Sequence, residues 1–359
     1  MRATPAFDGI RGVAILSVLL YHGNFPWAQG GFVGVDAFFV LSGFLITTLL
    51  LEEREARGRI ALGRFWARRA LRLLPALFLF LGALLALEGV EALRGREAGR
   101  WITGPQTLAV SAYYANWVKA LRLFPLGRVD HAWSLSIEEQ FYLLWPLLLV
   151  GAFALRATPR RIGILALLLA AASAVWRAVL YAKTGDSQRG YAGTDVRADV
   201  LLMGCALAAF SFRATAPSQG AARAAGAAGL LAVAALVATT ALARSDDPRW
   251  YRGGLTVAAF LGAALVAAAW DGRGAVVRLL SLPPLRALGK ISYGVYLWHV
   301  PVLQKLQGAV PLPEPLGFVV AASAAIGIAW LSYRFVERPI LAWRDRGRGE
   351  PPYAGSTRA

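Results

Sequence analysis

Apolar residues run through this chain in long blocks, with neither the one-in-three spacing of a surface helix nor the alternation of a half-buried strand. Ten blocks stand out, at 10–24, 32–51, 71–88, 132–154, 162–181, 198–212, 224–243, 253–270, 288–307 and 316–336. Many approach the roughly 20 residues that a helix needs to cross a bilayer. A membrane barrel would instead alternate over segments of about ten residues. The pattern predicts an all-α fold: a polytopic membrane helical bundle of about ten transmembrane helices. Several blocks are short, and Gly or Pro interrupts some. Such helices are tolerated where they are buried in protein or line a wet cavity.

The polar links between blocks set an orientation. Arg54, Arg57, Arg59, Arg64, Arg68 and Arg69 follow the second block, Arg156, Arg160 and Arg161 the fourth, and Arg273, Arg278, Arg286 and Lys290 the eighth. With ten spans these links fall on one side, together with Arg338 and Arg344 of the tail. The links 25–31 and 308–315 contain no Lys or Arg. The positive-inside bias then places both termini in the cytoplasm. The link 89–131 departs from the pattern with six basic residues, and its stretch Leu108–Val118 suggests a re-entrant segment. No internal repeat is evident. Residues 1–345 read as one membrane domain, and 346–359 as a polar, disordered tail. Arg2 and the run to Leu20 imitate a signal peptide. Asp8 and Arg11 beside that run, and the lack of a small-x-small site before Gly30, mark a helix of the mature chain.

Composition agrees. Of 359 residues, 57% are hydrophobic and only 16% charged, against about 25% charged in soluble domains. The net charge of +17 would suggest nucleic acid in a soluble protein. In a membrane protein it is what basic cytoplasmic links produce, so the bilayer, not nucleic acid, is the expected partner. Cys205 is the single cysteine, which excludes an intrachain disulfide framework.

Ionisable residues inside apolar blocks are costly and point to function. In the first block Arg11 and His22 are eleven residues apart. On a helix that returns His22 to within about 20° of the Arg11 face, about 16 Å further along. Asp36 opens the second block at a similar depth to His22, where a carboxylate could hold an imidazole in one tautomer. Ser42 and Gly43 are small residues that permit close helix approach. Arg69 and Arg72, three apart at the entrance of the third block, share a face and suit bidentate binding of phosphate; Arg68 lies beside them. In the fourth block His131, Leu135, Glu138 and Tyr142 form one stripe, with Ser134 a turn before Glu138. The adjacent acids Glu138 and Glu139 call for a partner in the bundle interior. Ser292, Tyr296 and His299 share a face in the ninth block, where a lone His among aromatics reads first as a satisfied core residue. Near the end, Arg334 and Glu337 can pair, and Pro339 should stop the last helix. No metal site is expected, because the three histidines are far apart in sequence and there is no Cys pair. No phosphate-binding glycine loop or Gly-x-Ser-x-Gly elbow is present.

Taken together, these motifs resemble the acyltransferase 3 family of integral-membrane O-acyltransferases. The likeness rests on Phe7-Asp8-Gly9-Ile10-Arg11-Gly12 with the Arg-x10-His spacing to His22, on Gly34-Val35-Asp36-Ala37-Phe38-Phe39-Val40-Leu41-Ser42-Gly43-Phe44-Leu45-Ile46, on Trp133-Ser134-Leu135-Ser136-Ile137-Glu138-Glu139-Gln140-Phe141-Tyr142, and on Ser292-Tyr293-Gly294-Val295-Tyr296-Leu297-Trp298-His299. The Arg69–Arg72 pair resembles the family's Arg-x-x-Arg. The resemblance implies a ten-helix bundle in the bacterial cytoplasmic membrane. It also implies transfer of an acyl group, often acetyl, from cytoplasmic acyl-CoA to a hydroxyl of a carbohydrate or glycolipid acceptor, without a metal. Some members carry an esterase-like domain after the last span. With about twenty residues after Pro339, this chain resembles the stand-alone type.

On that footing His22 is expected as general base or as a transient acyl carrier. Asp36 or Glu138 would orient it, and Arg11 would position the donor. Arg69 and Arg72, with Arg68 and Ser42 nearby, would hold acyl-CoA, most simply acetyl-CoA. The rival class is a glycan or lipid transporter or flippase, since buried His, Asp, Glu and Arg also suit proton coupling. Inverted repeats would favour it, and none is evident. A weaker reading is a structural scaffold, which would tolerate loss of His22, Arg11 and Glu138.

Overall fold

The structure is a computed structural model, and it describes residues 4–95, 101–214, 218–306 and 312–346. The tail expected at 346–359 lies outside the described residues beyond Arg346. In chain order the helices are α1 (Pro5–His22), α2 (Gly34–Arg57), α3 (Leu62–Leu93), α4 (Gly104–Ser111), α5 (Ala115–Leu121), α6 (Trp133–Ala154), α7 (Pro159–Thr184), α8 (Ser187–Ala192), α9 (Thr194–Ser211), α10 (Gln219–Leu242), α11 (Leu255–Asp271), α12 (Ala275–Leu280), α13 (Pro283–Lys290), α14 (Ser292–Leu306), α15 (Glu314–Ser332) and α16 (Arg338–Arg346). There is no strand among the described residues.

Every apolar block of the sequence contains a helix. Seven stretches among the described residues are long and apolar enough to cross a membrane: Pro26–Arg57, Leu62–Leu93, Gly127–Ala154, Pro159–Thr184, Gln219–Leu242, Trp250–Trp270 and Glu314–Arg344. The chain is a multi-pass membrane protein. The count of seven, against the expected ten, leaves out α1, α9 and α14. Helix α14 has only 15 residues. Helices α1 and α9 have 18 each, diluted by Asp8, Arg11 and His22 in one and by Asp195, Arg197 and Asp199 in the other. These three helices carry polar groups inward: His22 of α1 meets His299 of α14, and Arg197 and Asp199 of α9 pair with Asp36 and Arg177.

Side-chain contacts fix the relative directions. Gly34 lies against Ser17, and the Phe44 ring meets Phe7 at 5.8 Å, so α2 runs back along α1. Gly289 of α13 sits against Asp8 and His299 of α14 against His22, so α13 and α14 in succession run with α1. Ser42 bonds Glu138 and Thr47 bonds Trp145, so α6 runs with α2. Trp66 bonds the Tyr142 carbonyl and Phe80 meets His131, so α3 runs against α6. One end of the bundle therefore holds His22, Asp36 and His131, and the other the Asp8–Arg11 pair and the α3 entrance.

Helices α2 and α9 touch backbone to backbone. A Cβ on Gly43 would stand 2.0 Å from the Leu201 carbonyl oxygen, and one on Gly204 would stand 2.0 Å from that of Val40. This is the close approach expected at Gly43. Above it, Asp36 and Arg197 form an ion pair at 2.9 Å with neither side chain exposed. Helix α7 is fastened to α9 in turn. Arg177 Nη1 and Nη2 donate to the two Asp199 carboxylate oxygens at 2.8 Å, and Nη2 also donates to Thr256 Oγ1 of α11 at 2.6 Å.

Two expectations need correction. The re-entrant stretch Leu108–Val118 is not one segment: it is divided between α4 and α5, because Tyr113 takes a left-handed φ of 55°, which an α-helix cannot continue. Pro339 does not stop the chain's last helix. A wide turn over Tyr333–Glu337 follows α15, and Pro339 then sits in the first turn of α16, where its missing N–H costs nothing.

Candidate active site

Helix α6 acts as a ladder for the polar groups. Along its first half it presents His131 just before its first turn, then Ser134, Glu138, Glu139 and Tyr142, eleven residues or about 16 Å of rise. Each rung meets a side chain from another helix.

The lowest rung belongs to α3. The Arg69 guanidinium lies 3.5 Å from the Tyr142 ring centroid, close enough for cation–π attraction, and 4.0 Å from Glu139. Arg68 pairs with Glu53 at 3.8 Å. Arg72 is exposed one turn further on and lies in the field of Glu337, which accepts from Ser332 Oγ at 3.2 Å. Glu337 was expected to pair with Arg334, but that cation lies over Phe335.

On the middle rung Ser42 Oγ donates to Glu138 Oε1 at 2.7 Å, and Glu138 lies in the field of both Arg69 and Arg11. Ser42 is thus a polar partner as well as a small residue. Arg11 itself pairs with Asp8 at 2.9 Å while a fifth of its side chain stays exposed.

The top rung is where sequence reasoning fell short. The three histidines, separated by more than a hundred residues along the chain, meet. The His299 ring lies between the others, with ring centroids 4.8 Å from His22 and 5.0 Å from His131. His299 Nε2 is 3.2 Å from His22 Nδ1. Below them, Tyr296 OH donates to the His131 carbonyl at 2.6 Å, so Ser134 must be the donor in its 2.6 Å bond to the Tyr296 oxygen. No group of three or more His, Cys, Asp or Glu among the described residues has the geometry to hold a metal ion.

Backbone carbonyls assign the tautomers, since a carbonyl only accepts. His22 Nδ1 lies 3.0 Å from the Val18 oxygen, His299 Nδ1 2.7 Å from the Tyr296 oxygen, and His131 Nε2 3.1 Å from the Leu297 oxygen. Each of these nitrogens carries a proton in the neutral ring. His22 therefore presents its Nε2 lone pair, the form a base requires. The hydrogen-bond partners of the His22 ring are Val18 and His299, whereas Asp36 is held by Arg197 and Glu138 by Ser42.

His299 and His131 were not among the expected site residues. The available signal was depth: His22 ends α1, His131 precedes α6, and His299 sits halfway along α14. Periodicity gives the face of a helix but not which faces meet.

Comparison with known proteins gives the family. The model of the acyltransferase domain family matches residues 4–334. The chain belongs to this family. Similar relatives include the peptidoglycan O-acetyltransferase OatA of Listeria monocytogenes, 36% identical over 357 residues, covering 94% of this chain and 55% of that protein. The O-acetyltransferase OatA of Staphylococcus aureus is 33% identical over 360 residues, covering 94% of this chain and 57% of that protein. The chain thus spans about half the length of the curated relatives it matches. No solved structure matches it.

Proposed function

We propose that this acyltransferase-family chain moves an acetyl group from cytoplasmic acetyl-CoA to a hydroxyl of a cell-envelope glycan, peptidoglycan first among candidates, in a bacterial cytoplasmic membrane. The observation that carries the reading is the file of polar side chains along α6, from Arg69 at one end of the bundle to His22 at the other. The peptidoglycan relatives favour the glycan acceptor.

In this reading both termini are cytoplasmic. Arg69 and Arg72 take the phosphates of the donor at the α3 entrance, and the extended thiol arm points along α6. Arg11 lies at the same end and steadies the donor's charge. The acceptor hydroxyl comes from the His22 end. His22 Nε2 takes its proton as the oxygen attacks the thioester carbonyl carbon. The C–S bond breaks, the new ester forms, and the proton returns from His22 to the leaving sulfur, giving free CoA. Glu138, held by Ser42 midway, places a polar group between the two ends, in the field of Arg11 and Arg69. Asp36 serves the site at a distance, by fixing α2 to α9.

The test is acetyl transfer by the purified chain from labelled acetyl-CoA to a peptidoglycan fragment. Loss of a general base removes roughly 10²–10⁴-fold in rate, so His22→Ala should fall by at least that lower figure while still accumulating in membranes. Undiminished transfer in His22→Ala would refute the assignment. Accumulation of acetyl-His22 on mixing with donor alone would shift the chemistry to a covalent route.

A further inference from the structure

We infer that His299 is the positioning residue of this site, filling toward His22 the place that a carboxylate fills in a Ser-His-Asp triad. The inference rests on His22 being the base. In the triad an acceptor beside Nδ1 holds the imidazole in the tautomer whose Nε2 is free, and it stabilises the ring when it becomes cationic. Here His299 Nε2 lies 3.2 Å from His22 Nδ1. Its own Nδ1 proton is committed to the Tyr296 carbonyl at 2.7 Å. The Nε2 atom can therefore only accept, and the His22 Nδ1–H is shared between it and the Val18 carbonyl.

The surroundings fix that acceptor. His299 is fully buried, and its ring is flanked by His131 on one side and His22 on the other. The His131 Nε2–H is spent on Leu297, the residue two before His299, so both neighbouring rings brace the same turn of α14. The arrangement also explains why no carboxylate is needed at Nδ1. A buried carboxylate must be compensated by a cation or by several hydrogen bonds, and both candidate acids already have other partners. A neutral imidazole acceptor avoids that cost and leaves a single mobile proton in the cluster. The chain of donors ends at the Tyr296 carbonyl, so His299 holds the base and does not carry its proton away.

The experiment compares His299→Leu, His299→Met and His299→Gln in the purified full chain, with labelled acetyl-CoA and a peptidoglycan fragment. Leu has no acceptor and Met only a weak one, while Gln can present its amide oxygen to His22. We expect kcat to fall at least about tenfold in His299→Leu with the KM for acetyl-CoA nearly unchanged, and His299→Gln to recover most of the loss. If His299→Leu does not accumulate in membranes, His299→Met against His299→Gln makes the same comparison. Full activity in the variant without an acceptor, or equal loss in the Gln variant, would overturn the inference. Inactive His22→Ala with active His299→Leu sinks this inference alone, whereas active His22→Ala sinks the base assignment beneath it.

Discussion

Arg69 is fixed by the fold at the place where the proposed donor phosphates would bind. Its guanidinium lies 3.5 Å from the Tyr142 ring centroid and 4.0 Å from Glu139, so it is held in place before any ligand arrives. About a fifth of its side chain remains exposed, which leaves donor N–H groups for a phosphate. A charge-assisted hydrogen bond contributes roughly 1.5–3 kcal/mol, or about 10- to 100-fold in affinity. Replacing Arg69 and Arg72 together with Ala should raise the KM for acetyl-CoA by at least that factor and leave the acceptor KM alone. An unchanged donor KM in steady-state assays would remove the phosphate role. Lys at position 69 should rescue only part of the loss, because an ammonium cannot stack and fork at once.

Helices were the legible level of this sequence, and their meeting points were not. All ten apolar blocks contain helices, yet the block drawn at 198–212 misses the first turn of α9, which begins at Thr194. Asp195, Arg197 and Asp199 made that turn look like a link. They are tolerated inside because each has a partner on another helix: Arg189 and Trp176 hold Asp195, Asp36 pairs with Arg197, and Arg177 grips Asp199. Such pairing is a property of two helices and leaves no trace in the pattern of one. The same limit hid the histidine cluster, while Arg11, Glu138 and Arg69 could be singled out because a charge in an apolar block needs no neighbour to be noticed. The Arg177–Asp199 pair offers a test at this scale. Removing one member of a buried pair costs about 3–5 kcal/mol, so Arg177→Met should lower unfolding stability in detergent by that order. Adding Asp199→Leu should return much of it, since the stranded charge goes too. A single variant as stable as the parent would mean that water reaches the pair.

Across the whole molecule, polar fasteners are shared between the interior and the links at the His22 end. The contact between the end of α5 and the start of α8 is one such fastener. Arg122 donates to both Asp186 oxygens at 2.6 and 2.7 Å, and the same carboxylate caps α8 through the Arg189 amide. Partial burial works to raise the Asp186 carboxyl, but the Arg122 fork and the cap hold it below its ordinary value of 3.8. A carboxyl lowered on folding stabilises the fold above its unfolded value, and that contribution fades as pH drops through the folded one. Hydrogen exchange at the α8 amides, corrected for intrinsic rates, should therefore quicken only below about pH 3.8. In Arg122→Ala exchange should already be faster at neutral pH, and the further quickening in acid should be smaller. Identical profiles in both proteins would show that the fork does not hold this link.

The glycine contact between α2 and α9 has a mechanical consequence. With Gly43 and Gly204 each seated on the opposite backbone, and with ion pairs running on through Arg197 and Arg177, helices α2, α9 and α7 form a keel that cannot slide or part. The two substrates must nevertheless enter and their products leave. The yielding seam is therefore on the other side of the hull, between α3 and α14, which meet through the Phe80–Trp298 ring edge and the Tyr293 hydrogen bond to the Leu73 carbonyl.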